Sequence, residues 1–216
     1  KIGALYKSFM AADAIESLGI SPISSYLAQV DGITSLAEFI EVMAKLEAAG
    51  LGGIFGSGVV PDAKDSMSNI MHMVQGAISL PDEEYYREAE HAEIRSAFAE
   101  HVTAMFKLIG IDANGQRILD LETKIASHHW DAVKDRDATL TYNKFSRAEL
   151  ETLMPGFDWA LYLRAGEIPA KAFETVIVME PSFFTGLAGL LQSEPLEDWK
   201  LWLKWEVVSG AAPYLT

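Results

Sequence analysis

The chain has 216 residues, half of them hydrophobic, and 17 basic residues against 31 acidic ones give a net charge of −14. That length buries a substantial core, while the composition excludes disorder and the missing cysteine excludes disulfides, thiolate nucleophiles and sulfur-ligated zinc. A surface so negative repels phosphate backbones, which excludes nucleic acid as a partner.

No apolar run approaches the roughly 20 residues needed to cross a bilayer. The longest, at 48–60, is interrupted by five glycines. No membrane segment is therefore expected in this chain. No signal peptide is visible, and the start at Lys1 reads as a fragment of a longer protein. The compartment stays open between cytoplasmic and exported, and the absence of cysteine leans toward a bacterial, cytoplasmic protein.

The first fifty residues read as two helices. "GALYKSFMAADAIESLG" places Leu5, Phe9 and Ala12 on one face and stops at Gly19, and Ser21-Pro22 then breaks the chain. "TSLAEFIEVMAKLEAAG" opens with a Thr34 or Ser35 cap, spaces Leu36, Phe39, Ile40, Met43 and Leu46 helically, and ends at Gly50. From Leu51 the period changes. "GIFGSGVV" and "SNIMHMVQGAI" flank the turn-rich "PDAKDS", which predicts a β-hairpin over about 54–76. Gly56 and Gly58 predict a bulge or a close backbone approach within it.

After Pro81 the pattern is helical. A long helix is expected over Asp82–Ile109, and a second from Asn114 or Gly115 to Asp135 with Ile118, Leu121, Ile125 and His128 or His129 inward. Shorter helices are expected at 147–154, 157–165, 182–192 and 196–211, and "ETVIVME" (174–180) is a lone extended candidate. The fold class is mainly α, a multi-helix domain with one small β-hairpin. Its organisation divides into a helical segment 1–50, a hairpin segment 51–80 and a helical lobe 81–216.

The chemistry-bearing residues form no catalytic set. A helical zinc site needs two histidines at i and i+4 with a glutamate beside the first. His91 and His101 are ten residues apart, His128 and His129 are adjacent, and His72 stands between Met71 and Met73. A packed or surface histidine is the plainer reading of each. The acids of "PDEEYYREAEHAE" (Asp82, Glu83, Glu84, Glu88, Glu90 and Glu93) suit the positive end of a helix. Pro81 would open that helix and Ser79 would cap it. Arg136 between Asp135 and Asp137, with Tyr142 and Asn143 nearby, is either a buried ion pair closing a helix or a carboxylate clamp, and the structural role is preferred. Trp199, Trp202 and Trp205 recur at i, i+3, i+6, a stripe that suits core or interface. No G-x-S-x-G or G-x-x-x-x-G-K occurs. No catalytic or metal residue is assigned, and substrate-binding residues are unknown.

Several segments in order nonetheless carry a resemblance: "ALYKSFM", "AIESLGISPI", "DAKDS", "MHMVQGAISLPDEEYY", "LETKIASHHWDAVKDRDATLTYN", "FDWALYL", "EPSFF" and "DWKLWLKWEVVSGAAPYLT". Over essentially its whole length the chain resembles the N-terminal part of the neprilysin-like zinc metalloendopeptidases, which include the endothelin-converting enzymes and bacterial oligopeptidases. The resemblance implies a two-lobed, mainly helical peptidase whose chamber admits peptides and excludes folded proteins. Its zinc motif H-E-x-x-H and its other ligands lie C-terminal to Thr216, in a catalytic lobe absent from this chain. The chain itself is then expected to bind no zinc and to be inactive alone. Its partners would be that lobe, peptide substrates of the whole enzyme, and a second copy if an exposed lobe interface dimerises. That interface is expected to expose part of the Trp199–Trp205 face or the hairpin. One departure stands out. Where relatives carry Q-x-G-L-G-L-P, this chain has Gln75-Gly76-Ala77-Ile78-Ser79-Leu80-Pro81. The competing reading is a free-standing helical peptide- or protein-binding module.

Overall fold

A computed structural model describes residues 1–215 and is built mainly from helices around one small sheet. In chain order the helices are α1 (Ile2–Phe9), α2 (Ala12–Leu18), α3 (Ser21–Asp31), α4 (Leu36–Ala48), α5 (Glu84–Arg87), α6 (Ala92–Leu108), α7 (Gln116–Ala126) and α8 (Ala132–Asp135). They continue with α9 (Arg147–Leu153), α10 (Trp159–Ala165), α11 (Pro181–Ser193) and α12 (Leu196–Ala211). The strands are β1 (Gly56–Asp62), β2 (Asp65–Val74), β3 (Asn143–Ser146) and β4 (Thr175–Val178), in spatial order β1-β2-β4-β3.

The expected hairpin exists and is part of a larger sheet. β1 and β2 pair antiparallel with Gly56 opposite Val74, β2 pairs parallel with β4, and β3 closes the far edge antiparallel to β4. The register shift falls at Pro61/Asp62, not at the glycines. Proline cannot donate to the ladder, so the irregularity settles there. A Cβ on Gly56 would lie 2.5 Å from Val74 Cγ2, so close approach does explain that glycine, whereas Gly58 faces open space.

Several helix boundaries differ from the sequence expectation, each for a local reason. The first expected helix is two helices, parted at Met10–Ala11, and Ile2, Leu5 and Phe9 are exposed, not packed. Ser21-Pro22 begins α3, because the first turn has no need of the missing proline N–H. Ser35 is the cap of α4, accepting the Glu38 N–H at 3.2 Å, and Phe39, Ile40, Met43 and Leu46 are buried as expected.

The long helix expected from Asp82 is cut at Glu88, whose ψ of 140° is extended. Arg95 Nη1 donates to the carbonyls of Tyr85 (2.8 Å) and Glu88 (2.7 Å), which a continuous helix would otherwise use. The helix expected to run to Asp135 stops at Ala126 and resumes as α8, capped by Asp131, whose carboxylate accepts from Val133 and Lys134 N–H at 2.9 Å. α6 and α7 meet closely at Gly115, where a Cβ would lie 2.1 Å from the Ala99 carbonyl oxygen.

α12 is the spine of the core. Trp199, Leu201, Trp202, Leu203, Trp205, Val207 and Val208 are all buried, so this helix is apolar nearly all round and enclosed on several sides. The expectation that its tryptophan face is exposed is therefore overturned. A second aromatic group surrounds Phe55, whose ring lies 5.5–6.1 Å from those of Phe157, Trp159, Tyr162 and Phe184. Each such ring contributes about 1.5–3 kcal/mol on burial. Exposed large apolar side chains lie on α1, on Val59, Val60 and Met67 of the hairpin, and singly elsewhere, as at Leu18, Leu108 and Val133.

Candidate functional site

The stretch Ile78–Tyr86 converges on a buried carboxylate that the sequence reading did not single out. Glu122 of α7 is fully buried. Its Oε2 accepts the Tyr86 hydroxyl at 2.6 Å and the Ser79 N–H at 3.0 Å, and its Oε1 accepts the Ser79 hydroxyl at 2.7 Å. The Tyr86 oxygen in turn accepts the N–H groups of Ser79 (3.0 Å) and Leu80 (2.8 Å), and Trp205 Nε1 donates to Ser79 Oγ at 2.9 Å. Ser79 is thus not a helix cap, and Pro81 opens no helix. The Ser79 and Tyr86 hydrogen bonds instead pin a turn against α7 and α12. Burial pushes the Glu122 carboxyl up despite these donors, and burial with the Glu122 charge pushes the Tyr86 hydroxyl up. Glu206, also on α12, is pushed up to about 8 by burial and by Glu122. The signal for Glu122 was its place among Ile118, Leu121 and Ile125, an acid on an otherwise inward face.

Beside this network lies a cleft of about 600 Å³, lined by Gln75, Gly76, Asp82, His129, Asp135 and Glu180 among others. It opens at the carboxyl ends of the parallel strands β2 and β4, where the Met179 N–H donates to the Met73 carbonyl at 2.9 Å. Gln75 clamps one wall: its Nε2 donates to the Trp130 carbonyl (3.1 Å) and its Oε1 accepts the Trp130 N–H (2.8 Å). Trp130 Nε1 donates to Ser182 Oγ at 2.7 Å. Glu180, fully buried, accepts the Gln75 N–H at 2.8 Å and faces the Asp135 carboxyl. Burial first, and Asp135 second, push Glu180 up to about 8.

The other singled-out residues disperse. His129 Nε2 donates to the Gly76 carbonyl at 2.8 Å, and burial lowers its pKa. His91 stacks on Tyr85 with ring centroids 4.1 Å apart, His101 is edge-on to Trp205, and His72 is in β2 opposite Gly58. Glu83 takes a bidentate contact from Arg87 at 2.6 and 2.9 Å, a helical i,i+4 pair. Arg136 makes no ion pair among the described residues, so the expected closure around it is absent. Tyr142 turns to the hairpin and donates to Asp62 Oδ1 at 2.8 Å, while the Asn143 amide donates to the carbonyls of Leu140, Val178 and Met179. Asp62 is held down to about 2 by the Lys64 N–H, the Tyr142 hydroxyl and Lys144.

The family model of peptidase family M13 matches residues 1–216. The chain belongs to peptidase family M13. It is similar to a Mycobacterium tuberculosis zinc metalloprotease solved in complex with an inhibitor, with 38% identity and a TM-score of 0.94 over all of this chain and 34% of that one. Rat endothelin-converting enzyme 1 is 28% identical over 170 residues, covering 74% of this chain and 22% of that protein. PepO from Lactobacillus rhamnosis, 21% identical with a TM-score of 0.77, shares the fold over 98% of this chain and 34% of its own. This M13 chain thus spans about a third or less of the relatives it matches, and it corresponds to the N-terminal region of the family.

The zinc named for the mycobacterial relative has no matching ligand set here. Among the described residues, no group of three or more His, Cys, Asp or Glu side chains is arranged to hold a metal ion. Ala77 has a φ of 63°, in the left-handed region that favours glycine. Ser79 supplies the hydroxyl that Glu122 and Trp205 share.

Proposed function

We propose that this chain is the non-catalytic N-terminal portion of a zinc metalloendopeptidase that hydrolyses small peptides, and that it forms part of the wall of a chamber restricting access by size. The observation that carries this reading is the family match along all 216 residues, joined to 38% identity with a zinc metalloprotease three times as long. The zinc, its ligands and the catalytic glutamate belong in this reading to the remainder of the protein. There the metal would activate water and polarise the scissile carbonyl. The hairpin of segment 51–80 goes with the catalytic lobe, and segment 81–216 supplies the helical wall together with β3 and β4, which complete the hairpin's sheet. The exposed apolar side chains of α1 and the hairpin would face the remaining lobe, and dimerisation of the isolated chain through them accompanies that reading. A cytoplasmic setting is favoured.

The test is to follow the reading frame past Thr216 and assay the full product against peptides of increasing length and a folded protein. Chelator-sensitive cleavage that falls off with substrate size supports the proposal. A frame that ends without H-E-x-x-H, giving a product that binds peptides but cleaves none, favours a free-standing binding module.

A further inference from the structure

The two edges of the small sheet are built differently. β3, at one side, is four residues long and carries Lys144, two features that keep a sheet edge from pairing. β1, at the other, is seven residues long and carries no charge from Gly56 to Pro61. The directions of its backbone groups follow from the register. The Met73 carbonyl accepts from Met179 on the β4 side, so His72 and Val74 turn their backbone groups toward β1, opposite Gly58 and Gly56. Ser57 and Val59 therefore turn their N–H and C=O groups outward, and Pro61, the next outward position, has no N–H to leave bare. Among the described residues, no backbone bond outside the β1–β2 ladder reaches 56–61. We propose that a β-strand of the polypeptide beyond Thr216 pairs with this edge, so that the sheet continues into the catalytic lobe. The proposal rests on the reading of the chain as the N-terminal portion of a peptidase.

The hairpin needs such a neighbour. Val59 and Val60 point to opposite faces of the ribbon, and both are exposed, at 59% and 41%. β4 supports β2 only from Met71 to Met73, so from Val60 and Ile70 to the turn the hairpin has two strands and no third. A two-stranded ribbon is marginal in water. Gly58 weakens it further, and the open space around that residue shows that no neighbour in this chain requires a glycine there. The close approach of another backbone does require one. What lies outside the chain sets the occupant. This chain matches 34% of the mycobacterial relative, so most of such a protein folds beyond it. A second copy would bring its own net charge of −14 against the first. A strand of the same polypeptide is tethered to the edge and avoids the loss of free motion that binding costs a separate peptide.

Hydrogen exchange in the full-length protein, without added peptide, tests the pairing. The Ser57 and Val59 amides should exchange at least about 100-fold more slowly than free amides. Val59→Pro removes an outward N–H and spares the ladder to β2, so it should speed exchange at Ser57 and at one short run beyond Thr216. Ser57→Pro should speed exchange at Val59 and at the same run, and decides the matter should the first variant fold poorly. Free exchange of both amides in the wild type would overturn the proposal. So would protection that requires an added peptide, protection lost on dilution, which marks a second copy, or variants that speed nothing beyond Thr216. Chelator-sensitive cleavage with both amides exchanging freely would sink the pairing and leave the peptidase reading intact. Slow amides in a product without H-E-x-x-H would sink that reading and leave the pairing.

Discussion

Replacing Glu206 by glutamine should stabilise the protein, and only above neutral pH. Glu206 is half-buried, makes no hydrogen bond among the described residues and feels the charge of the buried Glu122 carboxyl. Its pKa rises from 4.5 to about 8 on folding, so the folded state binds the proton more tightly than the unfolded chain. The sign follows: the stability from this group is full below pH 4.5 and is lost as pH rises through 8. A shift of that size corresponds to at most about 5 kcal/mol, and relaxation and water access reduce this to about 1–3 kcal/mol. Glutamine keeps the shape and removes the titration. Thermal unfolding followed by circular dichroism should show Glu206→Gln unchanged at pH 5. At pH 9 it should be raised by roughly 2–12 °C, taking about 2–4 °C per kcal/mol for a chain of this length. An equal effect at both pH values, or a lower midpoint at pH 9, would refute the coupling of a half-buried Glu206 to Glu122.

Glu122→Ala leaves two hydroxyls and an N–H without their acceptor and should cost about 3–5 kcal/mol by urea unfolding at pH 6. A loss under 1 kcal/mol would mean the network does not hold the turn. Ala77→Gly should stabilise by about 0.5–1 kcal/mol in the same assay, since it relieves a left-handed alanine, and destabilisation would contradict the observed φ. Gly115→Ala drives a methyl into the Ala99 carbonyl and should cost about 2 kcal/mol or more, with α6 parted from α7, and a neutral result would contradict their close approach. Asp62→Asn should leave stability at pH 2 nearly unchanged and lower it at pH 6, because a depressed carboxylate contributes only above its unfolded pKa, near 4.

What the sequence made legible followed from local rules. α4 carries its own cap and period, α12 spans the residues expected of it, and the hairpin was announced by a change of period around "DAKDS". The breaks inside longer helical patterns were not legible, because they depend on distant partners. Arg95 takes the carbonyls at Glu88, and Gln75 captures Trp130 beyond the end of α7. β3 is four residues long and exists only because β4 offers an edge. The site was legible only as a crowd of titratable groups near Tyr86. Its centre, Glu122, is 36 residues further on, and no spacing rule brings the two together. The exposure of the apolar face of α1 was not legible for a related reason, since periodicity reports an apolar face but not what covers it.

The account centres on an M13 chain that shapes a peptidase without holding its metal. The most direct measurement is calorimetric titration of zinc into the purified 216-residue chain, with cleavage of a quenched fluorescent peptide followed in the same samples. The account predicts no stoichiometric zinc binding and no chelator-sensitive hydrolysis. One zinc per chain, accompanied by cleavage that a chelator abolishes, would contradict it.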